Sequence, residues 1–118
     1  AVINSNNNII FVAEIDNKLV GYLQGYGGIF RRVRHYVDLS ISILTQYRRK
    51  GIGFKLFQEM DKWASENKIH RLELRVLETN EPAIALYKKL DYKIESVIKD
   101  SAFIDNKYFD TYQMVKFF

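Results

Sequence analysis

Arg48-Arg49-Lys50-Gly51-Ile52-Gly53 is the stretch of this sequence best equipped for chemistry. Three cations stand beside two glycines, where an Ile-rich run gives way to an amphipathic pattern. Without a Cβ, the backbone at Gly51 and Gly53 can approach a ligand closely. The first-turn N–H groups of a helix lack intrahelical partners, and the macrodipole adds partial positive charge there. A diphosphate suits such a place. A plain helix entrance with a glycine pair is the competing description, since the stretch is neither a GKS/GKT phosphate loop nor a complete GxGxxG. Other chemistries find little material. Cys is absent, which removes thiolate nucleophiles and Cys-ligated metals. His35 and His70 are the only imidazoles, which argues against a His-based metal site.

The elements that position this loop belong to one domain, taken as residues 1–118. Hydrophobic residues make up 47% and charged residues 27%, the balance of a soluble globular domain. No apolar run approaches a membrane span, and Ala1–Asn8 is polar and Asn-rich, unlike a signal peptide. The missing initiator Met and the featureless start lead us to expect a segment of a longer protein. A Cys-free chain suits a reducing cytosol, so a cytoplasmic location is expected. The net charge of +4 favours an anionic partner without naming one.

Along the chain, Ile9–Ile15 and Leu19–Tyr26 read as a hairpin around Asp16-Asn17. The tetrapeptide Ile-Asp-Asn-Lys recurs at Ile104–Lys107, a second use of the same turn. Gly25, Gly27 and Gly28 with Arg31, Arg32 and Arg34 read as a mobile basic loop, and His35–Leu44 as a long alternating strand. Ile52, Leu56, Phe57, Met60, Trp63 and Ala64 then share one face of a helix. His70–Leu77 alternates as a strand. Asn80 caps a short helix with Pro82 in its first turn and Ile84, Ala85, Leu86 and Leu90 on its apolar side. Strands at Tyr92–Ile98 and Tyr108–Phe117 close the chain. The predicted fold is α/β, a mixed sheet in the order β-β-β-α-β-α-β-β with a central parallel β-α-β crossover.

Arg48-x-x-Gly51-x-Gly53 opening a helix after a strand resembles the coenzyme A signature of the GCN5-related N-acetyltransferase (GNAT) superfamily. Asn80-Glu81-Pro82-Ala83-Ile84-Ala85-Leu86-Tyr87, running on to Asp91-Tyr92, is similar to that family's second signature. The likeness runs from about Ile9 to the C-terminus. Asp91 stands where the family usually has Gly, and Tyr92 where it has Phe. The family's usual opening strand and two helices are not found ahead of Ile9, and those helices usually shape the acceptor pocket.

The resemblance implies an acetyl-coenzyme A-dependent N-acetyltransferase with no metal, acting by direct attack of a primary amine in a ternary complex. By it, the strands at His35–Leu44 and His70–Leu77 splay, and the backbone of Ile41, Ser42 and Ile43 grips the pantetheine. The loop Arg48, Arg49, Lys50, Gly51, Ile52 and Gly53 holds the pyrophosphate, and Asn80 contacts the coenzyme while capping its helix. Tyr87 is the implied acid for the departing thiolate; the plainer reading is a structural Tyr packing beside Ala83 and Leu90. Asp38 is the carboxylate offered as base, against an outward-facing strand Asp or a water path. Phe103, Tyr108, Phe109 and Tyr112 line the acceptor side or pack the sheet or a partner subunit. The amine acceptor, a small molecule or a protein amine, is left open; a homodimer is compatible, and no membrane or nucleic-acid partner is expected. A sensor that binds acyl-coenzyme A without turnover is the main alternative. A single-stranded nucleic-acid module is weaker, because the charge is shallow for a phosphate-tracking groove.

Overall fold

Two turns of identical sequence shape both ends of the sheet. Asp16 and Asn17 have φ of 52° and 64°, and Asp105 and Asn106 have 51° and 62°. Paired left-handed residues make the tight turn whose twist matches flanking antiparallel strands, and Asp and Asn tolerate it. The computed structural model describes residues 2–5, 8–27 and 36–118. The first turn joins β2 (Asn8–Ile15) to β3 (Lys18–Gly27), and the second joins β6 (Lys93–Ile104) to β7 (Lys107–Phe117). Between them lie β4 (Tyr36–Ile43), α1 (Ile52–Glu66), β5 (Arg71–Leu77) and α2 (Glu81–Lys89).

The expected order holds from β2 onward. A short strand, β1 (Val2–Ser5), precedes it and pairs with β2, correcting the reading of that polar start as featureless. Backbone hydrogen bonds to an open sheet edge do not require an apolar pattern, so hydrophobic periodicity gives no warning of such a strand. The seven strands run β1-β2-β3-β4-β5-β7-β6, antiparallel at every step except β4 to β5. β6 extends past Ile98, where its expected end lay, through an irregularity between Ile98 and Ala102. Gly28, Arg31, Arg32, Arg34 and His35 lie outside the described residues. No helix among the described residues is long and apolar enough to cross a membrane.

The core forms where α1 lays Leu56, Phe57, Met60, Trp63 and Ala64 onto alternate residues of the inner strands, including Leu23, Val37, Leu39, Leu72 and Leu74. α2 joins this core through Tyr87 and Leu90, with Ala83, Ile84 and Leu86 half-buried; Ala85, expected on its apolar side, is exposed. Gly25 and Gly27 are part of β3 and not of a loop. A Cβ on Gly25 would lie 2.8 Å from Val37 Cγ1, so the strand needs glycine there for packing. α2 ends on Asp91, whose φ of 71° allows its N–H to reach Lys88 O at 3.1 Å and the Tyr92 N–H to reach Tyr87 O at 2.9 Å. That is a Schellman ending made without the usual glycine.

Two substitutions should therefore move stability in opposite directions. Gly25→Ala is expected to cost about 1–3 kcal/mol by overpacking against Val37. Asp91→Gly is expected to gain about 1 kcal/mol by relieving a left-handed residue. Urea unfolding of both variants checks the signs.

Candidate functional site

β4 and β5 pair as parallel neighbours only at Tyr36, Val37 and Asp38, opposite Arg71, Leu72 and Glu73. Beyond that rung each strand keeps its other neighbour. β4 stays bonded to β3 as far as Ile43, and β5 to β7 as far as Leu77. The two strands therefore part from Leu39 and Leu74 onward, leaving an unpaired edge on β4 inside the sheet. The last rung sets two carboxylates, Asp38 and Glu73, across from one another, an arrangement that disfavours continued pairing.

The segment after β4 is built for an anion. A short 3-10 turn (Thr45–Tyr47) leads into Arg48, whose Nε donates to Ile43 O at 3.0 Å and anchors the guanidinium to the strand end. Arg49 and Gly51 both lie in the left-handed region, with φ of 62° and 80°. A non-glycine residue held there marks a backbone shaped by its surroundings. Gly51 is the N-cap of α1, with no side-chain cap and no acidic residue in the first turn. The orphan N–H groups and the dipole at this end are left uncompensated by protein groups. α2 is the opposite case: Asn80 Oδ1 accepts from Ala83 N at 3.3 Å, Glu81 sits in the first turn, and Lys88 and Lys89 sit in the last. Gly53 is buried, and its missing Cβ points at Ile43 and Leu86, 3.5 Å from each, so α2 can pack close to the start of α1.

Two cavities flank the parted strands and share Ile41, Asn80 and Tyr87. One, of about 470 Å³, is lined by Ile43, Arg48, Arg49, Gly51 and Gly53. The other, of about 440 Å³, is lined by Tyr26, Asp38, Ser40, Phe57 and Arg75. Tyr87 stands at their junction, 6% exposed, its ring edge-on to Phe57 at 5.7 Å. Burial pushes its phenol pKa up, so the hydroxyl keeps its proton at neutral pH. Asp38 is raised too, first by desolvation and then by Glu73, with Arg75 pulling the other way. Glu73 itself is compensated, accepting from Arg71 Nε at 3.0 Å and Gln113 Nε2 at 3.3 Å.

Most of the residues singled out from the sequence thus converge. Ser42 is exposed on the opposite side of β4 from Ile41 and Ile43, and Lys50 turns toward the Tyr47 ring, its Nζ 5.6 Å from the centroid. Neither they nor Ile52, the first helical residue, line the cavities. Phe103 and Tyr108 pack on each other at the exposed hairpin tip, and neither they nor Phe109 and Tyr112 line the cavity beside Asp38. Tyr26, Phe57 and Arg75 line that cavity without having been singled out. Alternation along β5 puts Arg75 on its polar side, but only the sheet register brings it to Asp38.

Residues 2–92 match the family model described as "Acetyltransferase (GNAT) family". The chain belongs to this family. Over 109 residues it is 33% identical to the L-amino acid N-acetyltransferase AaaT of Escherichia coli, covering 89% of this chain and 65% of that protein. It is 38% identical over 98 residues to an N-alpha-acetyltransferase of Saccharolobus solfataricus, covering 75% and 59%. The chain therefore spans roughly three-fifths of the length of these curated relatives. A GNAT-family acetyltransferase structure from Streptococcus pneumoniae superposes with a TM-score of 0.93 at 34% identity, over 97% of this chain and 69% of that one.

Asp38 gives a stability test that needs no substrate. Its proton is held more tightly in the folded chain than in the unfolded one, where the ordinary value is 3.8. The carboxylate's cost is therefore absent below that pH and is established as pH rises through the folded-state value. Asp38→Asn is expected to raise Tm at pH 7 and to lose that advantage near pH 3. An advantage independent of pH, read by calorimetry, would remove burial of the charge as its cause.

Proposed function

We propose that the protein is an acetyl-coenzyme A-dependent N-acetyltransferase acting on a primary amine. The observation that carries this reading is the meeting of two cavities at Tyr87, one bordered by the cationic glycine loop and the other by Asp38. Membership of the family supports it independently. A donor with a diphosphate suits the first cavity, where Arg48 and Arg49 stand beside the free amides at Gly51, Ile52 and Gly53, with Lys50 adding charge at the rim. The amides of a pantetheine arm suit the open edge of β4 across Ile41, Ser42 and Ile43, added as a further strand. Asn80 lines both cavities while capping α2, which supports a contact from it to the arm.

Transfer then needs two reactants held together and two proton movements. The neutral amine nitrogen attacks the thioester carbonyl carbon; the C–N bond forms as the C–S bond breaks. One amine proton leaves to Asp38, directly or through water, and the departing thiolate takes the Tyr87 proton. The proton on Asp38 then returns through solvent to the Tyr87 phenolate, which restores both groups. The products are an N-acetylated amine and free coenzyme A. The raised pKa of Asp38 improves it as an acceptor of the amine proton, and burial keeps the Tyr87 phenol neutral and protonated until the thiolate leaves.

Calorimetric titration of the protein with acetyl-coenzyme A tests the donor site. Gly51→Glu has open space around its Cβ but a left-handed φ that strains any side chain, so it is compared with Gly51→Gln. The carboxylate set among the phosphates should make the Glu variant bind at least about tenfold more weakly than the Gln variant. A flat trace for the unmodified protein overturns the reading. Thiol release across a panel of amines tests turnover, and binding without any release would make the protein a sensor. Tyr87→Phe should lower kcat by about 10²-fold with little change in acetyl-coenzyme A affinity. A loss of affinity with kcat retained would make Tyr87 a binding group.

A further inference from the structure

The charges around the Asp38 cavity are not all spent on the protein. Arg71 gives its guanidinium to Glu73 and Glu95, and Lys116 holds Asp61 at 2.6 Å. Arg75, two residues beyond Glu73 on the same side of β5, has no hydrogen bond or ion pair among the described residues. Asp38 likewise accepts no hydrogen bond there, yet both side chains line one cavity, and Arg75 is near enough to lower the Asp38 pKa. The register sets their spacing. Asp38 stands opposite Glu73, so Arg75 lies one strand across and about 7 Å further along, with the parting strands widening the gap.

Among the described residues, the cavity therefore offers an anion and a cation without partners on either side of an opening that leads to Tyr87. Such a site discriminates by what the acceptor carries next to its amine. A polyamine would bring further positive charge against Arg75, and a peptide N-terminus carries an amide where a free amino acid carries a carboxylate. Only the last satisfies both charges, because its two groups are one carbon apart. We propose that the acceptor is a free α-amino acid whose carboxylate pairs with Arg75 while its amine faces Asp38 and Tyr87. This rests on the acetyltransferase reading. Arg suits the task, since its planar fork matches a carboxylate through two parallel hydrogen bonds.

The test compares the twenty L-amino acids with their carboxamides as acceptors, by thiol release from acetyl-coenzyme A. The best free acids should exceed their own amides in kcat/KM by at least about tenfold. In Arg75→Gln that ratio should fall to about one, with partial recovery in Arg75→Lys. A wild-type preference for amides, or a ratio that Arg75→Gln leaves in place, overturns the proposal while acetyl transfer itself stands. Binding of the corresponding N-acetyl amino acids and their amides to the coenzyme A-saturated protein, followed by NMR, provides a readout free of turnover. If no amine releases thiol, the acetyltransferase reading fails. Arg75-dependent preference for the carboxylates in the NMR titration would still support the charge pairing, and equal binding of acids and amides would overturn it.

Discussion

The parallel contact between β4 and β5 ends after three residue pairs, and the candidate site depends on that ending. Had the pairing continued, the β4 edge at Ile41–Ile43 would be consumed by β5 and no extended ligand could lie between the strands. Each strand tolerates the separation because its other edge is fully paired, β4 with β3 and β5 with β7. The broken seam is closed from below by Phe57, Tyr87 and Tyr92, whose rings meet edge-on or tilted at 5.7–6.3 Å. An aromatic cluster can fill a widening wedge that aliphatic side chains would leave as a void.

The two helices divide stability from function. α2 has the features that stabilise a helix: an Asn cap, an acidic first turn, a basic last turn and a Schellman ending. α1 has none of these at its start, where a left-handed glycine and a left-handed arginine lead into bare amides. Its stability comes instead from the buried stripe Leu56–Ala64, so its N-terminus is free to serve a ligand. Gly53 links the helices by letting Leu86 come close. The anion loop and the Tyr87 helix are thus held in one fixed relation.

Residue patterns carried much of this. The repeated Ile-Asp-Asn-Lys turns, the alternation of β4 and β5 and the stripe of α1 are local periodicities, and each is found where the sequence put it. Asp91 was legible as a left-handed helix end only through the family resemblance, which sets it where a Gly usually stands. β1 was not legible, since Val2 and Ile3 are too short an apolar run to show a period and the edge strand is held by main-chain bonds that composition does not report. Gly25 was legible only in part: the run Leu19–Tyr26 put it in a strand and the following glycines put it in a loop. Its neighbours in space, Val37 and Ile9, decide for a strand with no side chain.

By itself, the sequence determined the elements, the cationic glycine loop and the capped helix bearing Tyr87, because helix and strand periods and turn conformations are set within a few residues. Which groups face one another was decided by tertiary structure alone. Asp38 meets Glu73 and Arg75 only through the β4–β5 register, and Tyr87 joins the two cavities only because the strands part above it. Charges and hydroxyls act over a few ångströms, and between residues dozens of positions apart that distance is fixed by packing, not by the order of the chain.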